Sequence, residues 1–108
     1  MIELSSQDGA RDYVSGWLAL NHKRLGLKQI KLQRSELPAK TLSVWYEAPG
    51  YLIDICAWDH AYCLDILVIE QSSDSFVFSE AGSCGNTTGL LERLTSFSKW
   101  VSVHAAGG

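Results

Sequence analysis

A chain of 108 residues with a net charge of −3 has room for one domain with its own core, residues 1–108, and not for a second. Apolar content of 46% and charged content of 19% are ordinary globular values, and no run of about eighteen apolar residues exists to span a membrane. The opening MIELSSQDGARD lacks an apolar signal core, so a cytoplasmic protein is expected. Cys56, Cys63 and Cys84 include no C-x-x-C pair, which fits reduced, mostly buried thiols.

Ser5, Ser6 and Asp8 offer capping oxygens for a first helix, and Ala10, Tyr13, Val14, Trp17, Leu18 and Leu25 recur at three- and four-residue spacing. His22, Lys23 and Arg24 fall in its last turn, where positive charge suits the helix dipole, and Gly26 is its stop. Trp17 belongs to the inward stripe. Between Leu27 and Leu37 the apolar positions are Leu27, Ile30 and Leu32, and a short edge strand or a linker fits equally well. Lys28, Lys31 and Arg34 there read as a solvated edge. No aromatic residue is interleaved with them, so no nucleic-acid partner is expected.

Thr41 to Glu80 reads as three or four short strands. From Leu42 to Gly85 the chain carries Glu47, Asp54, Asp59, Asp65, Glu70, Asp74 and Glu80 and no lysine or arginine. A turn at Pro49-Gly50 places Trp45 opposite Asp54 and Val44 opposite Ile55. Alternation then gives an inner face of Leu42, Val44, Tyr46, Ile53 and Ile55. The outer face carries Ser43, Trp45, Glu47, Leu52, Asp54, Cys56 and Trp58. A two-residue turn at Asp59-His60 sets Asp54 opposite Asp65, a like-charge pair that needs a cation or another register. A three-residue loop through Ala61 would send Asp65 to the other face. The shorter turn is favoured because it keeps Leu64, Ile66 and Val68 inside. The outer face also holds Leu67 and Ile69, so either a helix covers it or it awaits a partner. SFVFSE adds a last strand with Phe76 and Phe78 on one face.

Beyond the loop AGSCGNTTG, Asn86, Thr87 and Thr88 can cap a second helix whose stripe is Leu90, Leu91, Leu94, Phe97 and Val101. Glu92 and Lys99 take its wet side, and the tail HAAGG is small. The expected fold is α+β: an N-terminal helix, an antiparallel meander of about four strands, and a C-terminal helix packed on the sheet.

No constellation for catalysis emerges. GSCGNTTG lacks the lysine of a phosphate loop and does not fit the dinucleotide fingerprint. Cys84 with His60 or His104 has no local support as a thiol–imidazole pair, and no histidine or cysteine pair has metal-ligand spacing. Asp54 and Asp65 could serve as an acid–base pair only beside a cleft that a small meander hardly offers. Asn86-Thr87-Thr88 matches a glycosylation sequon, which means nothing in a cytoplasmic chain. A non-enzymatic binder without cofactor or metal is therefore expected. Tryptophan and tyrosine dominate interface centres, and acids steer basic partners. The partner-binding candidates are Trp45, Glu47, Asp54, Trp58, Asp59, His60, Tyr62 and Asp65.

A short helix, an acidic meander carrying VWYEAPGYLIDICAWD and a closing helix LLERLTSFSKWV resemble the small immunity proteins of bacterial polymorphic toxin and type VI secretion systems, in particular the TriTu-type group. The resemblance covers most of the chain as a pattern of size and elements, without a shared motif. It implies an antitoxin that binds a cognate toxin with a basic surface, as a monomer or weak dimer, with no membrane or nucleic-acid partner. Two alternatives stand beside it. One is a type III secretion chaperone holding an effector segment; the other is a small enzyme using Cys84 or the Asp54/Asp65 pair.

Overall fold

The computed structural model describes residues 9–36 and 40–104. The capping candidates Ser5, Ser6 and Asp8, together with Leu37 and the last residues of the tail, lie outside them. In chain order the elements are α1 (Ala10–Asn21), β1 (Lys28–Ser35), β2 (Thr41–Ala48), β3 (Tyr51–Trp58), a 3-10 turn (His60–Tyr62), β4 (Cys63–Glu70), β5 (Ser75–Glu80) and α2 (Thr87–His104). The α+β order of helix, meander and helix is as expected. The sheet has five antiparallel strands in the order β1-β2-β3-β4-β5, not about four. The extra strand is β1, the segment that could equally have been a linker.

The Ala10, Val14, Leu18 stripe is buried, while Trp17 is only half-buried against the core. After Asn21 the chain keeps turning as far as Gly26, which has φ 73. Gly26 N–H donates to the Lys23 carbonyl at 3.0 Å, and Leu27 N–H donates to the His22 carbonyl at 2.9 Å. This double closure lets Leu25 and Leu27 fold inward on either side of a left-handed residue that glycine adopts without steric cost.

The Pro49-Gly50 turn holds: Gly50 has φ 85, and Trp45 pairs with Asp54 and Val44 with Ile55. The next connection does not. It takes four residues, Asp59 to Tyr62, so Trp58 pairs with Cys63, Cys56 with Asp65 and Asp54 with Leu67. Two more residues than expected preserve parity, so Leu64, Ile66 and Val68 stay inside, all fully buried. Asp54 and Asp65 become diagonal neighbours, which relieves the like-charge opposition that the shorter turn would have imposed. Tyr62, at φ 51, closes the turn.

Two bulges re-aim side chains at the sheet edges. One lies between Gln29 and Lys31. The other adds Val77 of β5 against the single step from Val68 to Ile69 of β4, which leaves Phe78 opposite Val68 and Phe76 opposite Ile69. Phe76 and Phe78 therefore do not share a face. Phe78 packs on Phe97 and Trp100 of α2, whereas Phe76 is 66% exposed.

Both helices lie on the inner face. Leu90, Leu94, Phe97 and Val101 of α2 join Val14 and Leu18 of α1 against Ile53, Ile55, Leu64 and Ile66, all at most 2% exposed. At about 1.5–3 kcal/mol for each large apolar side chain buried, this layer is the main source of stability. Leu91 is 43% exposed and falls off the stripe. Asn86 caps α2, its Oδ1 accepting from Gly89 N–H at 2.8 Å. No helix among the described residues is long and apolar enough to cross a membrane.

Candidate functional site

With both helices on one face, the other face of the sheet is left open among the described residues. Its side chains form cross-strand rows. One row runs Lys31, Trp45, Asp54, Leu67, Ser79; the next runs Gln33, Ser43, Cys56, Asp65. A third holds Ser35, Thr41, Trp58 and Cys63. The fourth brings Lys28, Glu47, Leu52, Ile69 and Phe76 into line. Trp45, Leu52, Asp54, Trp58, Asp65, Leu67 and Ile69 are all half-buried, because neighbours on a flat sheet shade one another without a layer above.

The centre of this face has unusual electrostatics. Cys56 Sγ donates to Asp54 Oδ1 at 3.5 Å and lies 3.6 Å from Ser43 Oγ. Partial burial pushes the Asp54 carboxyl above its ordinary value; the Cys56 contact opposes this, and the nearby Asp65 charge adds to it. Burial likewise raises the Cys56 thiol, with Asp54 and Asp65 contributing in the same direction and Ser43 opposing. A carboxylate shaded by Trp45 and Leu67 lacks full hydration, and a cation placed over it would restore what the sheet withholds.

The expected site residues divide into two groups. Trp45, Glu47, Asp54, Trp58 and Asp65 share the open face. Asp59, His60 and Tyr62 lie in the β3–β4 turn at one end of the sheet. Asp59 has a structural task there: its Oδ1 accepts from Arg11 N–H at 2.9 Å. A carboxylate from 48 residues away thus caps α1, whose own N-cap residue, Gly9, has no side chain to offer. A Cβ at Gly9 would clash with the Asp59 carboxyl group, so the cap depends on glycine there. Tyr62 packs against the core, and His60 is exposed. Asp65 is also committed, accepting from Gly82 N–H at 3.0 Å and so holding the loop after β5.

The structure adds residues that the sequence reading left out. Lys28 and Lys31 join the face through β1, so it is not acid-only. Phe76 joins it through the β5 bulge. The lysines stand in a segment that reads equally as an edge strand or a linker, and the bulges carry no signal in the composition.

Cys84 sits in the loop before α2, its thiol raised mainly by burial, with Arg93 opposing. That direction is opposite to an activated nucleophile. A Cβ at Gly89 would run into the Cys84 carbonyl, and the Gly89 N–H is taken by Asn86, so the helix end is closed by its own loop. Arg93 donates to the Leu64 and Gly82 carbonyls at 2.7 and 3.0 Å and pairs with Glu80 at 3.3 Å, which makes it a tie between α2 and the sheet. Among the described residues no three His, Cys, Asp or Glu side chains gather as metal ligands would. No family model, curated protein or solved structure matches the chain.

Proposed function

We propose that the protein is an immunity protein that binds and neutralises a cognate bacterial toxin, through the open face of its sheet. The observation that carries this is the Trp45–Asp54–Leu67 row: an aromatic anchor, an under-solvated carboxylate and an apolar side chain, side by side on a face that neither helix covers. Interfaces with a desolvated centre favour that combination. A basic partner group set on Asp54 gains a charge-assisted bond and exchanges little water for it. The toxin is accordingly one whose groove is basic, as anion-binding active sites are. The small-immunity-protein pattern of elements points the same way.

The test is growth rescue. The chain is co-expressed with a toxin domain sought in the reading frames beside its gene, and binding is measured on the purified pair. Trp45→Ala and Asp54→Lys should abolish protection while both variants stay folded. Protection that survives both, yet is lost on substituting exposed residues of α2 such as Glu92, would place the contact elsewhere. Asp65→Lys is a poor probe, because it also releases the Gly82 loop.

A further inference from the structure

On the opposite side of the sheet, α1 packs over β2 and β3, so β1 overhangs the helix and leaves a groove of about 170 Å³ beside it. Leu42, Val44 and Tyr46 form its floor, with Leu18 and His22 of α1 and Leu32 of β1 as walls. Near the start of α1 the helix and strand are tied together. Arg11 Nη1 donates to the Ser35 carbonyl at 3.2 Å and to Glu36 Oε2 at 2.8 Å, and Arg34 Nη2 donates to Asp12 Oδ1 at 3.0 Å. The lining itself contains no acid, lysine or arginine.

The groove is uncharged but not wholly apolar, since Ser15 and Gln29 line it beside the buried leucines and valine, and two of its polar groups, on Tyr46 and His22, lie side by side. Tyr46 is 2% exposed, and its hydroxyl has no hydrogen-bond partner among the described residues. Burial alone pushes the phenol up to about 12. A buried hydroxyl without a partner is costly, so something is expected to satisfy it. His22 lies beside it, ring centroids 5.8 Å apart. His22 Nδ1 bonds to the Leu18 carbonyl at 2.9 Å, which in the neutral ring leaves Nε2 as an acceptor.

We infer that this groove binds a small uncharged aromatic molecule, about one ring in size and carrying a hydroxyl, held between Tyr46 and His22. The volume suits one ring: an apolar cavity of about 150 Å³ accepts benzene. A charged ligand would lose its hydration against a lining with no counter-charge. A hydroxyl on the ring accepts from Tyr46 and donates to His22 Nε2, which satisfies both groups at once. The site shares no residue with the open face and does not depend on the toxin-binding role.

The experiment titrates the full chain with phenol and with toluene, following the methyl resonances of Leu18, Leu32, Leu42 and Val44 by NMR. Phenol should give saturable shifts confined to these methyls, with a dissociation constant about thirtyfold below that of toluene, as two net hydrogen bonds provide. Tyr46→Phe should cut that preference to about fivefold, the bond to His22 Nε2 remaining. Ala19→Trp, on the exposed rim of the groove, should remove the shifts from both and needs no change in the core. Equal affinity in the unaltered protein, a preference undiminished in Tyr46→Phe, or shifts that never saturate would overturn the inference and leave the groove to water.

Discussion

Asp54 and Asp59 show how two aspartates five positions apart come to do opposite things. Asp59 stands at the amino end of a helix, where a carboxylate is welcome. Removing it in Asp59→Ala should cost about 1 kcal/mol, read as a lower denaturant midpoint, with partner affinity unchanged. Asp54 stands on a half-buried sheet face where charge is penalised. Its carboxyl titrates above the ordinary 3.8 when folded. Between that value and the raised one the native state holds the extra proton, so stability falls as pH rises through the window. At pH 7 the ionised carboxylate is a net cost. Asp54→Asn should therefore raise the melting temperature at pH 7 and leave it nearly unchanged at pH 3, where both side chains are neutral. A lower melting temperature at pH 7 would mean that the Cys56 contact outweighs desolvation. The same substitution should weaken toxin binding, which is the mark of a residue kept for recognition at the expense of stability.

The elements differ in how plainly their residues declare them. The α2 stripe and the Leu42-to-Ile55 inner set follow helical and strand periods so closely that burial could be assigned residue by residue, and those assignments hold except at Leu91, which is exposed. The first hairpin was legible because Pro49-Gly50 admits few geometries. The second was not, because Asp59-His60-Ala61-Tyr62 suits several turns. What decides between them is long-range: Asp59 must reach Arg11 N–H across the fold, and the four-residue turn is the one in which it does. The β1 strand was ambiguous for a related reason. Its residues are almost all exposed, so no burial pattern marks it, and pairing with β2 supplies what its composition does not. Gly16 is the opposite case, a residue whose local choice has no evident tertiary reason. It lies exposed inside α1, and a Cβ there meets nothing within 4 Å. Gly16→Ala should stabilise the protein by about 0.5–1 kcal/mol, measured by chemical denaturation.

Across the whole molecule, charge is sorted by strand. Seven of the nine lysines and arginines precede Thr41, and β1 brings Lys28 and Lys31 onto the face whose centre is Asp54 and Asp65. Lys28 stands across from Glu47 and offsets it. The field over the face therefore runs from positive at the β1 edge to negative over β3 and β4. If the partner is the basic toxin proposed above, this field draws it to β3–β4 and holds it off β1. At the far side, Phe76 is 66% exposed beside Ile69 and Leu52, an apolar extension with no charge to oppose it. The footprint should span β2 to β5, with Trp45 at its β2 margin. If it does, Lys31 touches nothing in the complex and acts only through its field. Lys31→Glu should then raise the association rate about threefold at low salt, with the dissociation rate nearly constant and the gain fading as ionic strength shortens the screening length. Phe76→Ala should do the reverse, accelerating dissociation with little effect on association, as the loss of an apolar anchor does. A Lys31→Glu variant that binds more slowly, or that dissociates faster, would put β1 inside the footprint and move the partner's basic surface away from Asp54.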